Sequence, residues 1–249
     1  MIFLILLFLC WGSFLNVLAY RLIRNQDIVW LRSACPHCNQ TLAWSDLIPV
    51  LSWIYLRGAC RYCHKSISVL YPAIELVTTG LLTALYCTIP HHFFLPYFIF
   101  FSALLVTIRS DLETMLISRF VTIFLIPIPI VCAFFGFLPI TCTESIIGAV
   151  LGYCCLFVTA RIFFWITKKQ GVGQGDLELL AFIGAFTGIF GCWITLTLGS
   201  ILGSVIGLIY LLIMQADRSV KIPFGPFLAA GASIYVLFQE PILHIFIYF

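Results

Sequence analysis

Two aspartates stand where this sequence has few other polar groups. Asp111 lies in IRSDLETML, residues 108–116, and Asp176 closes GVGQGD, residues 171–176. Both adjoin apolar runs, where an acid costs several kcal/mol unless it is paired or wet. Two carboxyls brought close in a partly dry site cannot both ionise, so one keeps a proton that the other lacks. The ionised partner can then take a proton from water while the neutral one polarises a peptide carbonyl. Such a pair hydrolyses an amide without a nucleophilic side chain. Each residue also has a plainer reading. Asp111 could pair with Arg109 or Arg119 at a membrane interface, and Asp176 could cap a helix starting at Leu177. A cap alone does not require Gly171, Gly173 and Gly175 before it; glycines disfavour helix and permit close backbone approach. Glu113 and Glu178 lie within a turn of the two aspartates and have no matching role in this scheme.

A second constellation is built from thiols. Cys35-Pro-His-Cys38 and Cys60-Arg-Tyr-Cys63 are separated by 21 residues. Two CxxC knuckles at this interval fit four thiolates around one tetrahedral zinc ion. The alternatives are a redox pair or unmetallated thiols, but a redox pair leaves the second knuckle redundant. The surrounding loop is too short to bury much core, so a metal would supply its folding energy. His37 and His64 are bystanders when four sulfurs are available. The remaining cysteines lie in or beside apolar segments as small buried hydrophobes. No HExxH zinc motif and no GxSxG elbow occurs, and the five histidines are scattered, so metallopeptidase and nucleophilic-triad chemistry are disfavoured.

These groups must be positioned by an unusually apolar chain. Of 249 residues, 62% are hydrophobic and 9% charged, with a mean hydropathy of +1.12. A soluble domain carries about 25% charge, so the solvent here is a lipid bilayer. The expected fold is an all-α integral membrane protein of about eight transmembrane helices, with one small tetracysteine insertion at residues 24–69 inside a single membrane unit, 1–249. The apolar stretches are Met1–Ile23, Leu70–Ile89, Phe93–Ile108, Phe120–Leu138, Ser145–Ile166, Leu177–Phe190, Cys192–Met214 and Phe224–Phe249. The third and sixth fall short of the roughly 20 residues that cross a bilayer. Arg21 and Arg24 follow the first stretch rather than precede it, which favours an uncleaved first helix over a signal peptide.

With the N-terminus outside and the helices alternating, all 13 Lys and Arg fall in or near the inner segments, as the positive-inside rule requires. The cysteine insertion and both aspartates then share the cytoplasmic side. The net charge of +3 is thereby a topology signal and gives no reason to expect nucleic acid. Gly148/Gly152, Gly184/Gly188 and Gly199/Gly203/Gly207 repeat every four residues, a spacing that lets helix backbones approach closely. No inverted repeat of the transporter kind is visible.

Taken in order, these residues resemble the type IV prepilin peptidases, also called prepilin leader peptidase/N-methyltransferases. GSFLNVLAYRL (12–22) is similar to the family's opening helix. CPHC, LAWSDLIPVLSW (42–53), LRGACRYC (56–63) and ISVLYPAIEL (67–76) are similar to its cysteine domain. GVGQGDLELLAFIGAFTG (171–188) is similar to its GxGD segment and IPFGPFLAAG (222–231) to its last block. The resemblance implies that Asp111 and Asp176 are the catalytic aspartates and that Cys35, Cys38, Cys60 and Cys63 form a zinc-binding set. It implies a bacterial inner-membrane enzyme that cuts the leader from prepilins or pseudopilins at the cytoplasmic face. It further implies methylation of the new N-terminus with S-adenosylmethionine, although no separate motif for that donor is visible. Two positions depart from the pattern. Ser118 and Arg119 stand where the family commonly has Pro-Asp, which puts a guanidinium near the aspartates, and Glu178 stands where a lysine is usual. The rival readings are a transporter using the aspartates as a proton or cation relay, a membrane scaffold whose cysteine loop recruits a partner, and another GxGD peptidase with a different substrate.

Overall fold

The computed structural model describes residues 1–27, 32–169, 171–214 and 222–248. The expected inner loop 215–223, with Asp217, Arg218 and Lys221, therefore lies almost wholly outside the described residues. Among those described, the structure is helical, with two isolated β-bridges and no strand. The helices are α1 (Ile2–Ile23), α2 (Leu51–Tyr55), α3 (Leu70–Thr88), α4 (His91–Thr114), α5 (Pro127–Phe134), α6 (Cys142–Thr167), α7 (Gln174–Met214), α8 (Gly225–Leu237) and α9 (Gln239–Tyr248). They fall into two compact units, Met1–Cys87 and Thr88–Phe249.

Among the described residues, five helices, α1, α3, α4, α6 and α7, are long and apolar enough to cross a membrane. The eight apolar stretches of the sequence thus do not become eight uninterrupted helices, and the reasons are local. Phe120–Leu138 carries Pro127 and Pro129, and a proline is tolerated at a helix start but not within it. It yields a short 3₁₀ turn at Ile123–Leu125 followed by the eight residues of α5, about 12 Å long against a core of about 30 Å. Helix α7 errs the other way. Its 41 residues would measure about 60 Å if straight. They do not run straight, because Gly188 adopts φ 69° and ψ −170°, a conformation open essentially to glycine alone. The sixth and seventh stretches are the two arms on either side of this break. The last stretch divides into α8 and α9 at Phe238.

In the first unit, α1 and α3 meet where Gly12 lies against the Glu75 backbone and Thr78; a methyl group at Gly12 would stand 2.9 Å from the Glu75 Cα. Asn16, fully buried, donates to the Tyr71 carbonyl at 3.0 Å. Glu75, also buried, accepts from the Val50 N–H at 2.8 Å. That contact ties the loop bearing the cysteines to α3.

In the second unit the glycine spacing does what its period implies. Gly148 on α6 and Gly184 on α7 are so close that a Cβ on either would strike the other's carbonyl, and Gly152 lies equally tightly on the Leu180 carbonyl. Ser145 seals the pair by donating to the Ala185 carbonyl at 2.6 Å. The descending pairing, 148 with 184 and 152 with 180, makes α6 and the first arm of α7 an antiparallel hairpin. The second arm pairs likewise with α8, where Gly199 and Gly231 abut backbone of the facing helix. Gly188 does both: it makes the break, and its carbonyl carbon would lie 2.9 Å from a Cβ on Gly148. Phe100 of α4 stacks on Phe182 and Phe186 of α7, with ring centroids 5.7 and 4.8 Å apart. This cluster joins the two helices that carry the aspartates.

Candidate active site

Asp111 sits one turn before the end of α4. The helix stops at Met115, which takes a left-handed conformation and donates its N–H to the Asp111 carbonyl. The chain then turns away, leaving the Asp111 side chain buried, with 5% of its surface exposed. Its Oδ2 accepts from the backbone N–H of Gly225, the first residue of α8, at 3.0 Å. A methyl group at Gly225 would lie 2.7 Å from that oxygen, so the approach needs a residue without a side chain.

Asp176 lies in the first turn of α7, half-buried. The helix begins at Gln174 and not at Leu177, so Asp176 is its third residue and not its cap; its own N–H reaches the Gly173 carbonyl at 3.2 Å. An acid in the first turn still profits from the exposed N–H groups there. The glycines act by proximity. A Cβ on Gly175 would stand 2.8 Å from the Ile117 Cβ, and Gly171 lies against the Phe163 ring. Ile117 follows α4 and also contacts the Gly225 position at 3.3 Å. Residues 111–117, 173–176 and 225 therefore converge, and the charges of Asp111 and Asp176 are close enough to interact.

Arg109 and Arg119, the alternative partners for Asp111, each form an ion pair with a glutamate. Arg109, buried, pairs with Glu113 one turn on. Arg119 pairs through Nε with Glu178 Oε1 at 3.1 Å. The two departures from the family pattern are thus partners of one another, and the guanidinium faces Glu178 where an aspartate neighbour was expected. Glu178 is 2% exposed and also accepts from Gln174 Nε2 at 3.2 Å. The sequence offered no role for it; the signal lay in two charge anomalies that only the fold joins. The Gly225 N–H was likewise missed, because only the fold brings the start of α8 to Asp111.

In the first unit, Cys35, Cys38, Cys60 and Cys63 gather so that all four Sγ atoms lie within 4.8 Å of one another. The two knuckles are built alike. Cys35 and Cys60 each donate N–H to a carbonyl five residues on, Gln40 and Lys65, and each accepts at its own carbonyl the N–H of a left-handed residue, Asn39 or His64. A bridge closes each turn, Ala34 with Thr41 and Ala59 with Ser66. The N–H groups of Cys63 and Tyr62 lower the Cys60 thiol to about 7. At Cys38 the N–H of Gln40 is outweighed by desolvation and the neighbouring sulfurs, and the thiol rises to about 11. Four thiols in one place cannot ionise together without a cation. Cys35 and Cys63 lie 3.8 Å apart, which matches the edge of about 3.8 Å of a tetrahedron with metal–sulfur arms of about 2.3 Å. The residues fit a zinc ion. His37 and His64 are not part of the cluster.

Comparison with known proteins agrees with this division. Residues 6–89 match the bacterial Peptidase A24 N-terminal domain and residues 98–212 match the Type IV leader peptidase family. A prepilin leader peptidase/N-methyltransferase of Pectobacterium carotovorum subsp. carotovorum is 33% identical over 242 residues, covering 88% of this chain and 86% of its own. The protein of that name from Aeromonas hydrophila is 32% identical, covering 93% and 88%. The one from Pseudomonas aeruginosa is 29% identical, covering 98% and 92%. No solved structure matches. With relatives this similar over nearly their whole length, the chain belongs to the type IV leader peptidase family.

Proposed function

We propose that this protein is a membrane aspartyl peptidase that removes the leader from type IV prepilins or pseudopilins, with Asp111 and Asp176 as its catalytic pair. The observation that carries the reading is geometric: Ile117, just after α4, packs on both Gly175 beside Asp176 and Gly225, whose N–H holds Asp111, so α4 and α7 bring their carboxyls into one neighbourhood. In the working state one proton is held between them. The ionised carboxyl takes a proton from a water as its oxygen attacks the scissile carbonyl carbon, and the protonated one gives its proton to the carbonyl oxygen. Collapse of the tetrahedral adduct breaks the C–N bond: the departing amine takes a proton from the first aspartate, and a hydroxyl of the adduct returns its proton to the second, which restores the pair. The Gly225 N–H keeps one Asp111 oxygen oriented, so the other is left for this exchange. The apolar helices lie in the bacterial inner membrane, with the N-terminus outside, the bases inside and the aspartates at the cytoplasmic face.

Cys35, Cys38, Cys60 and Cys63 hold a zinc ion that folds the loop and takes no part in hydrolysis. The same protein methylates the exposed N-terminus, with S-adenosylmethionine consumed as a co-substrate. A relay transporter would place its acids near the bilayer midplane, whereas these sit at helix ends.

The deciding experiment is leader removal from a synthetic prepilin by purified protein, read by mass spectrometry. Asp111→Asn and Asp176→Asn should each lower the rate by about 10²–10⁴-fold, the usual worth of a general acid or base, with folding intact. Full cleavage by either variant sinks the assignment.

A further inference from the structure

The carboxylate of Glu178 is harder to account for than either aspartate. It stands two residues after Asp176, 2% exposed, beside the buried Leu177, Leu179 and Leu180. A buried charge of this kind is destabilising unless it is paired and hydrogen-bonded. Its partners are Gln174 in its own helix and Arg119 from the segment that follows α4. That segment begins after the left-handed Met115 and has little regular structure until α5. Its place against α7 is fixed by Ile117 on Gly175 and by the ion pair two residues later. The same short segment leads directly out of the turn that carries Asp111, while Glu178 lies within one turn of Asp176.

We propose that Arg119 and Glu178 form a latch that sets the relative placement of Asp111 and Asp176, which makes both of them positioning residues for peptide hydrolysis. This rests on the aspartate pair being catalytic. Neither latch residue touches the reacting atoms. Arg119 leaves 68% of its side chain exposed while Glu178 is buried, so losing Arg119 leaves the buried carboxylate with Gln174 alone and lowers stability as well, and rates must be compared on folded protein. The pair's effect on rate falls on geometry, and a displacement of about 1 Å at a reacting group can cost about a hundredfold in rate. The pairing is also symmetric in charge. A cation on α7 facing an anion after α4 would close the same latch.

The test uses the full-length purified protein and a synthetic prepilin spanning its leader junction. Kinetics are measured well below each variant's unfolding temperature and normalised to folded protein. Arg119→Ala and Glu178→Gln should each lower kcat roughly tenfold with KM within about twofold, since positioning acts on the chemical step and not on substrate binding. Arg119→Glu and Glu178→Arg, each alone, should be at least as impaired. The double variant R119E/E178R should recover to within about threefold of wild type, the signature of a direct pair in a double-mutant cycle.

A wild-type kcat in both Arg119→Ala and Glu178→Gln overturns the latch, as does a folded double variant no better than its worse single. Should the double variant fail to fold, Glu178→Gln decides, because it removes the buried charge and leaves an amide of the same shape beside Gln174. Asp111→Asn and Asp176→Asn run alongside. If they are inactive while Arg119→Ala is unimpaired, the latch alone falls; if they cleave normally, the aspartate reading falls and takes the latch with it.

Discussion

At the scale of single residues, one contact in the candidate site joins a carboxylate oxygen of Asp111 to the backbone N–H of Gly225, with no side chain beside it. Gly225→Ala would introduce a methyl 2.7 Å from Asp111 Oδ2, and neither α8 nor α4 is free to retreat far. The carboxyl must swing off its N–H. We expect kcat for leader cleavage to fall by about tenfold or more, in keeping with the sensitivity of positioned groups, while the unfolding temperature drops by only a few degrees. Wild-type kcat in folded Gly225→Ala would mean that the Gly225 contact does not orient Asp111. The aspartates and cysteines could be read from the sequence because their types are rare in apolar or short polar segments and their spacing is short. Gly225 and the Arg119–Glu178 pair could not, because each depends on residues 59 to 114 positions apart becoming neighbours. Asp176 was legible as a residue but not in its place: the apolar run opening at Leu177 put it just before the helix, whereas the helix starts at Gln174, two residues earlier, with Gly175 packed on Ile117.

At the scale of elements, small residues and sulfur do different work. The α6–α7 hairpin is closed on Gly148 and Gly184, backbone against backbone, so Gly148→Ala has nothing flexible to displace. Overpacking of this kind costs about 1–3 kcal/mol, and the purified protein should melt several degrees lower. Gly80 lies in α3 with nothing within 4 Å of its added Cβ, so Gly80→Ala should raise stability by about 0.5–1 kcal/mol through helix propensity alone. If both substitutions moved the melting temperature equally, the tight face would be irrelevant. The paired knuckles carry the other prediction. Metal analysis of purified protein should find one zinc per chain, and Cys60→Ser should lose it and make residues 35–63 readily cleaved by protease. A zinc content near zero after anaerobic preparation would refute a structural ion. Element types were legible because long apolar runs have one solution in lipid, the helix. Element lengths were not: Pro127 and Pro129 shorten one run, and Gly188 hides a break inside another that the hydrophobic pattern reads as nearly continuous.

At the scale of the molecule, the chain divides into Met1–Cys87 and Thr88–Phe249, and the two candidate sites fall in different units. Both aspartates, the Gly225 N–H and the Arg119–Glu178 pair lie in the second unit. The cysteine cluster and the buried Glu75 lie in the first. Peptide hydrolysis needs two carboxyls and a water, all of which the second unit can supply. Methyl transfer needs a bound sulfonium donor and an amine in its neutral form, whose lone pair displaces the donor's sulfur as the N–C bond forms and a proton leaves the nitrogen. Nothing in that step calls on a pair of aspartates arranged to activate water. We therefore expect Asp111→Asn to stop leader removal yet still methylate a synthetic pilin N-terminus that never carried a leader. The measurement is transfer of labelled methyl from S-adenosylmethionine to that peptide, compared between wild type and variant at equal folded concentration. Transfer at a similar rate, within about threefold, fits two separable sites, since additivity is the rule for sites without shared partners. Loss of methylation in a folded Asp111→Asn protein would instead mean that the amine is held by the same carboxyls that released it, and that a single site performs both reactions in turn.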